Sequence, residues 1–229
     1  LSLLVCSHVA FSVVNWWATL WVRPRQLPKM NFSKGIPSQY RTMAVVPSMI
    51  VDDSQADKLV EDLEVRFLAN RDPNLLFALL TDFKDSEEPA LFEDDALVAR
   101  VQKGIETLNQ KYGRLSNDTF YLFHRPRQWN ERQGMWMGYE RKRGKLSELN
   151  QVLRGEGDER FSVIVGDPQI YKTVKYVITL DSDTQLPRDA ANILVGIMAH
   201  PLNQPQYHEK NKRVVEGNGI IQPRIAIRL

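Results

Sequence analysis

The stretch "YVITLDSDTQLPRD", residues 176–189, joins a short apolar run to two aspartates that lie one residue apart. The apolar run predicts a buried strand, because short runs rich in β-branched residues are typical of strands inside a sheet. Asp181 and Asp183 follow directly. Two carboxylates this close stay ionised most easily beside water or a cation. The stretch therefore predicts a strand that ends at a polar edge of a sheet, next to water or a cation.

The rest of the chain alternates apolar runs with amphipathic helical patterns. This alternation predicts an α/β fold, in which right-handed crossovers build a mostly parallel sheet flanked by helices on both faces. Binding sites in such folds lie outside the carboxyl ends of the strands. The predicted strands are 42–50, 74–83, 118–126, 175–183 and 217–227, and the predicted helices are 54–72, 94–113, 145–155 and 188–202.

Three carboxylates follow two of the predicted strands, because Asp82 ends one and the Asp181–Asp183 pair ends another. A divalent cation would suit this edge, since Mg²⁺ usually takes one or two carboxylates together with substrate phosphates. A solvated turn that caps the next helix is the alternative, and it is the more common interpretation of an isolated pair. A phosphatase nucleophile is a further alternative, although that motif normally opens its domain. An EF-hand is excluded, because Leu186 and Asn192 stand where that loop needs Gly and Glu.

A cationic cluster lies within "WMGYERKRGKLSELN", residues 136–150, just before a predicted helix. Backbone N–H groups at the start of a helix favour anions, so the cluster could hold a diphosphate. A solvated basic surface explains the charge equally well. His124 has no second histidine at ligand spacing, and we predict a hydrogen-bonded structural role for it. The cluster consists of Arg141, Lys142, Arg143 and Lys145, placed around Gly144.

Residues 1–22 carry no formal charge, and as a helix they would span about 33 Å, close to the thickness of a bilayer's hydrocarbon core. They are predicted to form a transmembrane helix. A buried apolar helix is the alternative, and the polar side chains of His8 and Asn15 favour it slightly. Basic residues follow before any acidic one, which predicts a cytoplasmic location for that end. These basic residues are Arg23, Arg25, Lys29, Lys34 and Arg41.

Composition places further limits on the chain. Residues 23–40 contain three prolines and no apolar periodicity, so we predict a basic juxtamembrane linker, followed by one domain over 41–229. That domain is slightly acidic, which argues against nucleic-acid binding. Cys6 is the single cysteine, so a disulfide framework and a thiolate metal site are excluded. Since the chain begins inside the apolar segment, we interpret it as a piece of a larger polypeptide.

Longer strings carry a more specific signal than the aspartate pair does. They are "LEVRFLANRDPNLLFALLTDFKD" (63–85), "LFHRPRQWN" (122–130), "WMGYERKRGKLSELNQVLRG" (136–155), "TLDSDTQLP" (179–187), "MAHPLNQP" (198–205) and "IIQPRIAI" (220–227). Together they resemble the glycosyltransferase domain of cyclic β-1,2-glucan synthases, and "RPRQLPKMNFSKGIP" resembles the linker after a membrane helix in that family.

The resemblance implies a GT-A fold on the cytoplasmic side of the bacterial inner membrane, with UDP-glucose as donor, a β-1,2-glucan acceptor and Mg²⁺ or Mn²⁺ as cofactor. It assigns Asp181 and Asp183 to the metal, and Asp181 also to the diphosphate. It assigns Asp82 to the nucleotide, with Asp85 as the alternative. It implies that Lys145 contacts the diphosphate or supports its site, with Arg143 and Asn150 beside it.

The resemblance also implies an inverting transfer, whose general base is an aspartate beyond the "QPR" segment and beyond Leu229. We therefore expect the fragment to bind UDP and metal without making glucan. Two alternatives remain open at this point. One is a domain of another processive β-glucan synthase, and the other is a non-catalytic, membrane-tethered scaffold that retains the transferase fold.

Overall fold

Helices and short strands alternate along the chain in the computed structural model, which describes residues 2–21, 26–112 and 118–223. The strands are β1 (Thr42–Ile50), β2 (Leu75–Phe83), β3 (Phe120–His124), β4 (Gln128–Asn130), β5 (Met135–Met137), β6 (Val163–Val165), β7 (Tyr176–Thr179), β8 (Gln206–His208) and β9 (Arg213–Glu216). The helices are α1 (Ser2–Trp21), α2 (Asp53–Ala69), α3 (Asp94–Tyr112), α4 (Arg141–Leu153), α5 (Pro168–Tyr171) and α6 (Ala190–Ala199).

The main sheet has the strand order β6-β3-β2-β1-β7. β3, β2, β1 and β7 run parallel, and β6 lies antiparallel at the edge. The predicted α/β architecture with a mostly parallel sheet is therefore present. The chain proceeds from β1 to β2 and β3 in one direction and later places β7 on the other side of β1. The strand order thus reverses between β1 and β7, where ligands of open α/β sheets bind.

β1 and β7 differ in length at this reversal. The last pair joins Val45 to Thr179, and Leu180 then donates its backbone N–H to the Val45 carbonyl at 2.9 Å. β1 continues along β2 to Ile50. Pro47, which has no N–H to donate, lies in this extension, where a missing donor is tolerated because β7 has already ended. The carboxyl end of β1 is therefore open on its β7 side.

Two apolar layers cover the sheet. On one face, α2, α3 and α6 pack on alternate residues of β1 and β2, and Phe67 of α2 lies edge-on to Phe77 and Phe120, with ring centroids 5.7 and 5.0 Å apart. On the other face, α4 and α5 cover Tyr121 and Phe123. The carboxyl edge between these layers is where the predicted site residues occur.

Some elements depart from the predictions. α4 begins at Arg141 rather than Lys145, and β7 ends at Thr179 rather than at residue 183. The hairpins β4–β5 and β8–β9 and the strand β6 were not predicted, because runs this short show little periodicity. Residues 217–223 form no strand, and the rest of the predicted strand 217–227 lies outside the described residues, as does Gly113.

The described part of the predicted linker, residues 26–40, packs against the domain. Phe32 and Ile36 are buried in the core. Met30 donates its N–H to the Gly196 carbonyl at 2.9 Å, and a Cβ on Gly196 would lie 2.5 Å from the Met30 carbonyl oxygen. Glycine at 196 therefore lets this segment lie directly on α6. Arg23 and Arg25 lie outside the described residues.

The predicted transmembrane helix is not supported. Residues 2–21 are helical, but within the described ranges no helix combines the length and apolar character that a membrane crossing requires. The prediction for residues 1–22 is therefore wrong. The physical reason lies in the polar side chains along α1, since His8, Ser12, Asn15 and Thr19 interrupt the apolar run and lower its mean hydropathy.

Candidate functional site

The first turn of α4 brings the cationic cluster to the carboxyl edge of the sheet. Arg141, Lys142 and Arg143 lie within the helix itself, and this turn contains no acidic residue. Glu140 and Arg141 have φ values of 50° and 47°, a left-handed conformation that costs non-glycine residues energy. Positive side chains at a helix N-terminus also oppose the helix dipole. This end of α4 is therefore a favourable place for an anion.

Lys142 connects the cationic turn to the aspartate pair. Its Nζ forms an ion pair with Asp181 Oδ1, and both side chains are about half exposed. The helix start and the end of β7 thus meet across the open side of β1. An ammonium group supplies the positive charge that the aspartate pair requires.

The aspartate pair lies in a turn rather than in a strand. Thr184 donates its N–H to the Asp181 carbonyl at 2.9 Å, which closes the turn 181–184. Asp181 and Asp183 are both exposed. In the described part of the chain, no group of three or more His, Cys, Asp or Glu side chains could hold a metal ion. The two carboxylates therefore fit Mg²⁺ or Mn²⁺ only together with ligand oxygens such as those of a diphosphate.

Buried residues at the C-terminal end of α2 and directly after it anchor this turn. Arg66 donates through Nη2 to the carbonyls of Ser182 at 2.7 Å and Thr184 at 3.0 Å. Asn70 donates through Nδ2 to the Leu186 carbonyl at 3.1 Å. Burial lowers the pKa of Arg66, and nearby acidic side chains oppose that shift. Hydrogen bonds from buried side chains therefore fix the backbone around the aspartate pair.

Asp82 lies at the same edge but is buried in an ion-pair network. Its carboxylate accepts from Lys145 Nζ at 2.7 Å and from Arg125 Nη2 at 3.0 Å. Lys145 also donates to the Ser48 carbonyl at 2.5 Å. Burial lowers the pKa of Lys145, and the charge of Asp82 opposes this. The structure brings Asp82 and Lys145 together, and both of them bond to protein groups.

Arg125 ties this network to the start of α4. It donates to Glu148 Oε2 at 2.9 Å and to the carbonyls of Tyr139 at 3.2 Å and Arg141 at 3.3 Å. Gly138 leaves the necessary space, because a Cβ there would lie 2.1 Å from Asp82 Oδ2. The network therefore holds the left-handed turn that presents the cationic cluster.

The other predicted residues lie on the exposed side of this edge. Asp85 is partly exposed and accepts from Arg141 Nη2 at 2.5 Å. Arg143 is 85% exposed and lies 3.7 Å from a carboxylate oxygen of Glu140. Asn150 is exposed on a later turn of α4. Between the two predicted aspartates for the nucleotide, Asp85 is therefore the accessible one.

His124 is a structural residue of the core beneath the site. Its Nδ1 lies 2.9 Å from Thr81 Oγ1, and its ring packs edge-on to Phe83 with centroids 4.4 Å apart. Burial lowers the pKa of His124 to about 4, against the opposing charges of Asp82 and Asp94. The imidazole is therefore neutral at neutral pH.

We expect His124 to make the fold sensitive to acid. Between pH 6.5 and 4 the unfolded chain binds a proton that the folded chain does not, so the free energy of unfolding falls as the pH falls. This contribution reaches about 3 kcal/mol near pH 4. Urea titrations of wild type and His124→Phe at pH 7 and pH 4.5 measure it, and the variant should lose less stability on acidification. Equal losses in the two proteins would contradict this assignment.

Residues that sequence reasoning missed are mainly the buried partners. Arg66, Asn70, Glu148 and Gly138 were not predicted as parts of the site. Arg66 carries a detectable signal, because its spacing from Leu63 and Leu59 places it on the apolar face of α2, and an arginine there implies buried acceptors.

The chain is similar to a curated protein over almost all of its length. Over 222 residues, 97% of the chain, the sequence is 41% identical to cyclic beta-(1,2)-glucan synthase NdvB of Rhizobium meliloti (strain 1021). The chain spans 8% of the length of that relative. No protein-family model matches the chain. This similarity confirms the resemblance to cyclic β-1,2-glucan synthases that the sequence motifs indicated.

Proposed function

Since this chain is a domain related to the cyclic β-(1,2)-glucan synthases, we propose that it is a glycosyltransferase domain that takes glucose from UDP-glucose and extends a β-1,2-glucan chain. The observation that carries the proposal is the ion pair between Lys142 and Asp181. It places a cationic helix start and an aspartate pair side by side at the reversal of the strand order. A sugar nucleotide needs both features, because its diphosphate is anionic and commonly binds together with a divalent cation.

The donor would bind at this edge through its diphosphate. Asp181 and Asp183 would hold Mg²⁺ or Mn²⁺, with phosphate oxygens completing the coordination. Lys142 and Arg143 would contact the phosphates from the start of α4, where backbone N–H groups add to the positive potential. Asn150 lies further along the same helix, and we assign it to the outer part of the site.

Asp82 and Asp85 take different roles in this proposal. Asp82 is 2% exposed and already bonded to Lys145 and Arg125, so we assign it and Lys145 to supporting the site from within. Asp85 is the accessible carboxylate, two residues after the end of β2, and its partner Arg141 could turn to a phosphate. We therefore propose Asp85 as the carboxylate that contacts the nucleoside.

Catalysis at this edge would be largely electrostatic. Positive side chains placed where charge develops on the leaving UDP stabilise the transition state. The bound cation would supply Lewis-acid stabilisation of the same charge. Attack by a glucan 2-hydroxyl from the opposite face would give a β-linkage from an α-linked donor. That step needs a general base, and we assign the role to none of the described residues.

We expect the 229-residue chain to bind UDP in a metal-dependent way. Calorimetric titration with UDP should give an affinity at least about 10-fold higher with Mn²⁺ than with EDTA, because the cation links two carboxylates to the diphosphate. UMP, which has one phosphate, is the matched control and should gain little from Mn²⁺. A chain that binds neither nucleotide would contradict the proposal and favour a non-catalytic scaffold.

The second candidate function is another β-glucan synthase domain. The metal and diphosphate contacts would be the same, because acceptor contacts determine the linkage. Linkage analysis of the polymer made from UDP-glucose by the larger polypeptide separates the two, and any linkage other than β-1,2 would contradict the proposed acceptor.

A further inference from the structure

A buried arginine of α2 contacts the backbone on both sides of Asp183. Arg66 is 5% exposed. Its Nη2 donates to the carbonyls of Ser182 at 2.7 Å and Thr184 at 3.0 Å, and its Nε donates to Thr184 at 3.1 Å. The guanidinium is a rigid planar fork, so bonds to both neighbours restrict the backbone rotation that aims the Asp183 side chain.

Asn70, the residue that directly follows α2, extends the same support. Its Nδ2 donates to the Leu186 carbonyl at 3.1 Å, and its Oδ1 accepts from the N–H of Ala191 at 3.1 Å. One side chain thus joins the loop after the aspartate pair to the start of α6. Together, Arg66 and Asn70 hold this loop at both of its ends.

No carboxylate among the described residues forms an ion pair with the guanidinium of Arg66. In the described part of the chain, Arg66 takes part in no ion pair within 4.0 Å. Asp62 and Asp183 are the acids whose charges act on it. A buried charge paired only with carbonyls is costly to maintain, and an apolar residue would be the ordinary choice at this position of α2. The positive charge of Arg66 can therefore act on the carboxylates of the 181–184 turn.

We propose that Arg66 and Asn70 are positioning residues for the carboxylates that hold the cation. The inference rests on the proposed function, because it assigns to Arg66 of α2 and to Asn70 directly after it the task of orienting the Asp181–Asp183 turn. Arg66 orders the turn through its two carbonyls and offsets the repulsion between the two carboxylates. Asn70 fixes the exit of the loop. Partners of this kind typically contribute a factor of 10 to 100 to metal affinity.

The variant Arg66→Lys tests the proposal, because lysine keeps the charge but loses the planar fork. We expect the Mn²⁺-dependent affinity for UDP to fall about 10-fold, with UDP affinity in EDTA unchanged. Amide hydrogen exchange should become faster at residues 182–186 and stay unchanged in β1. Arg71→Lys is the matched control, since Arg71 is exposed at the end of α2 and its guanidinium stacks over Phe67 and Tyr112 at 5.3 and 5.6 Å.

The outcomes separate this inference from the proposed function. If wild type shows no Mn²⁺-dependent binding of UDP, the proposed function fails. If wild type binds and Arg66→Lys binds equally well with unchanged exchange, only the positioning role is overturned. Should Arg66→Lys fail to fold, Asn70→Ala carries the same measurements, and normal exchange and affinity in that variant overturn the inference.

Discussion

The variant Asp183→Asn is expected to lose Mn²⁺-dependent UDP binding by at least about 100-fold, because it removes one of two carboxylates that would hold the cation. Asp181→Asn should have a similar effect and would also remove the charge that pairs with Lys142. Both aspartates are exposed, so the free energy of unfolding should change by no more than about 0.5 kcal/mol. Calorimetry with UDP and Mn²⁺, alongside urea unfolding, measures both quantities.

Asp189→Asn is the matched control for this experiment. Asp189 is an exposed aspartate of the same loop, 71% accessible, and its closest ion-pair partner is the neighbouring Arg188. Its left-handed backbone, with φ of 58°, accommodates asparagine well. The control should bind UDP and Mn²⁺ like wild type. Unchanged affinity in Asp183→Asn would remove Asp183 from the metal site and leave the turn as a solvated cap.

The sheet could be predicted because its two longest strands are recognisable as apolar runs in the sequence. The predicted strand 42–50 coincides with β1, and the predicted strand 74–83 differs from β2 by one residue. Both are long apolar runs that would be buried on both faces of a parallel sheet. β7 is shorter than predicted, since the backbone turns at Asp181 to Thr184. Arg66 and Asn70, far away in the sequence, bond to that turn and to the loop after it, and the apolar run alone gives no sign of these contacts.

The site could be predicted only in outline. The aspartate pair and the cationic cluster were found from residue type and spacing, and the Lys142–Asp181 contact brings them together. The burial of Asp82 could not be predicted. An aspartate at a strand end can bind a ligand or lie in the core, and the elements that pack over it decide which. Here Arg125 arrives from the end of β3 and Lys145 from α4. Contacts between residues so far apart in the sequence produce no periodic pattern from which they could be predicted.

Asp82→Ala is expected to destabilise the fold by about 3–5 kcal/mol, because it leaves Lys145 buried without its carboxylate and removes one of two carboxylates from Arg125. For a chain of this size, the melting temperature should fall by about 10 °C. Urea and thermal unfolding measure the effect. Asp85→Ala is the matched control, since its pair with Arg141 is partly exposed and should contribute at most about 1 kcal/mol.

A double-mutant cycle identifies the cause of that loss. In Asp82→Ala/Lys145→Met the unpaired ammonium is gone and an apolar chain of similar length fills its space, so the double variant should be more stable than the sum of the single losses predicts. Simple addition of the two effects would contradict a buried ion pair. If Asp82→Ala instead keeps wild-type stability and loses UDP affinity, Asp82 contacts the ligand directly, and the buried network must open when the donor binds.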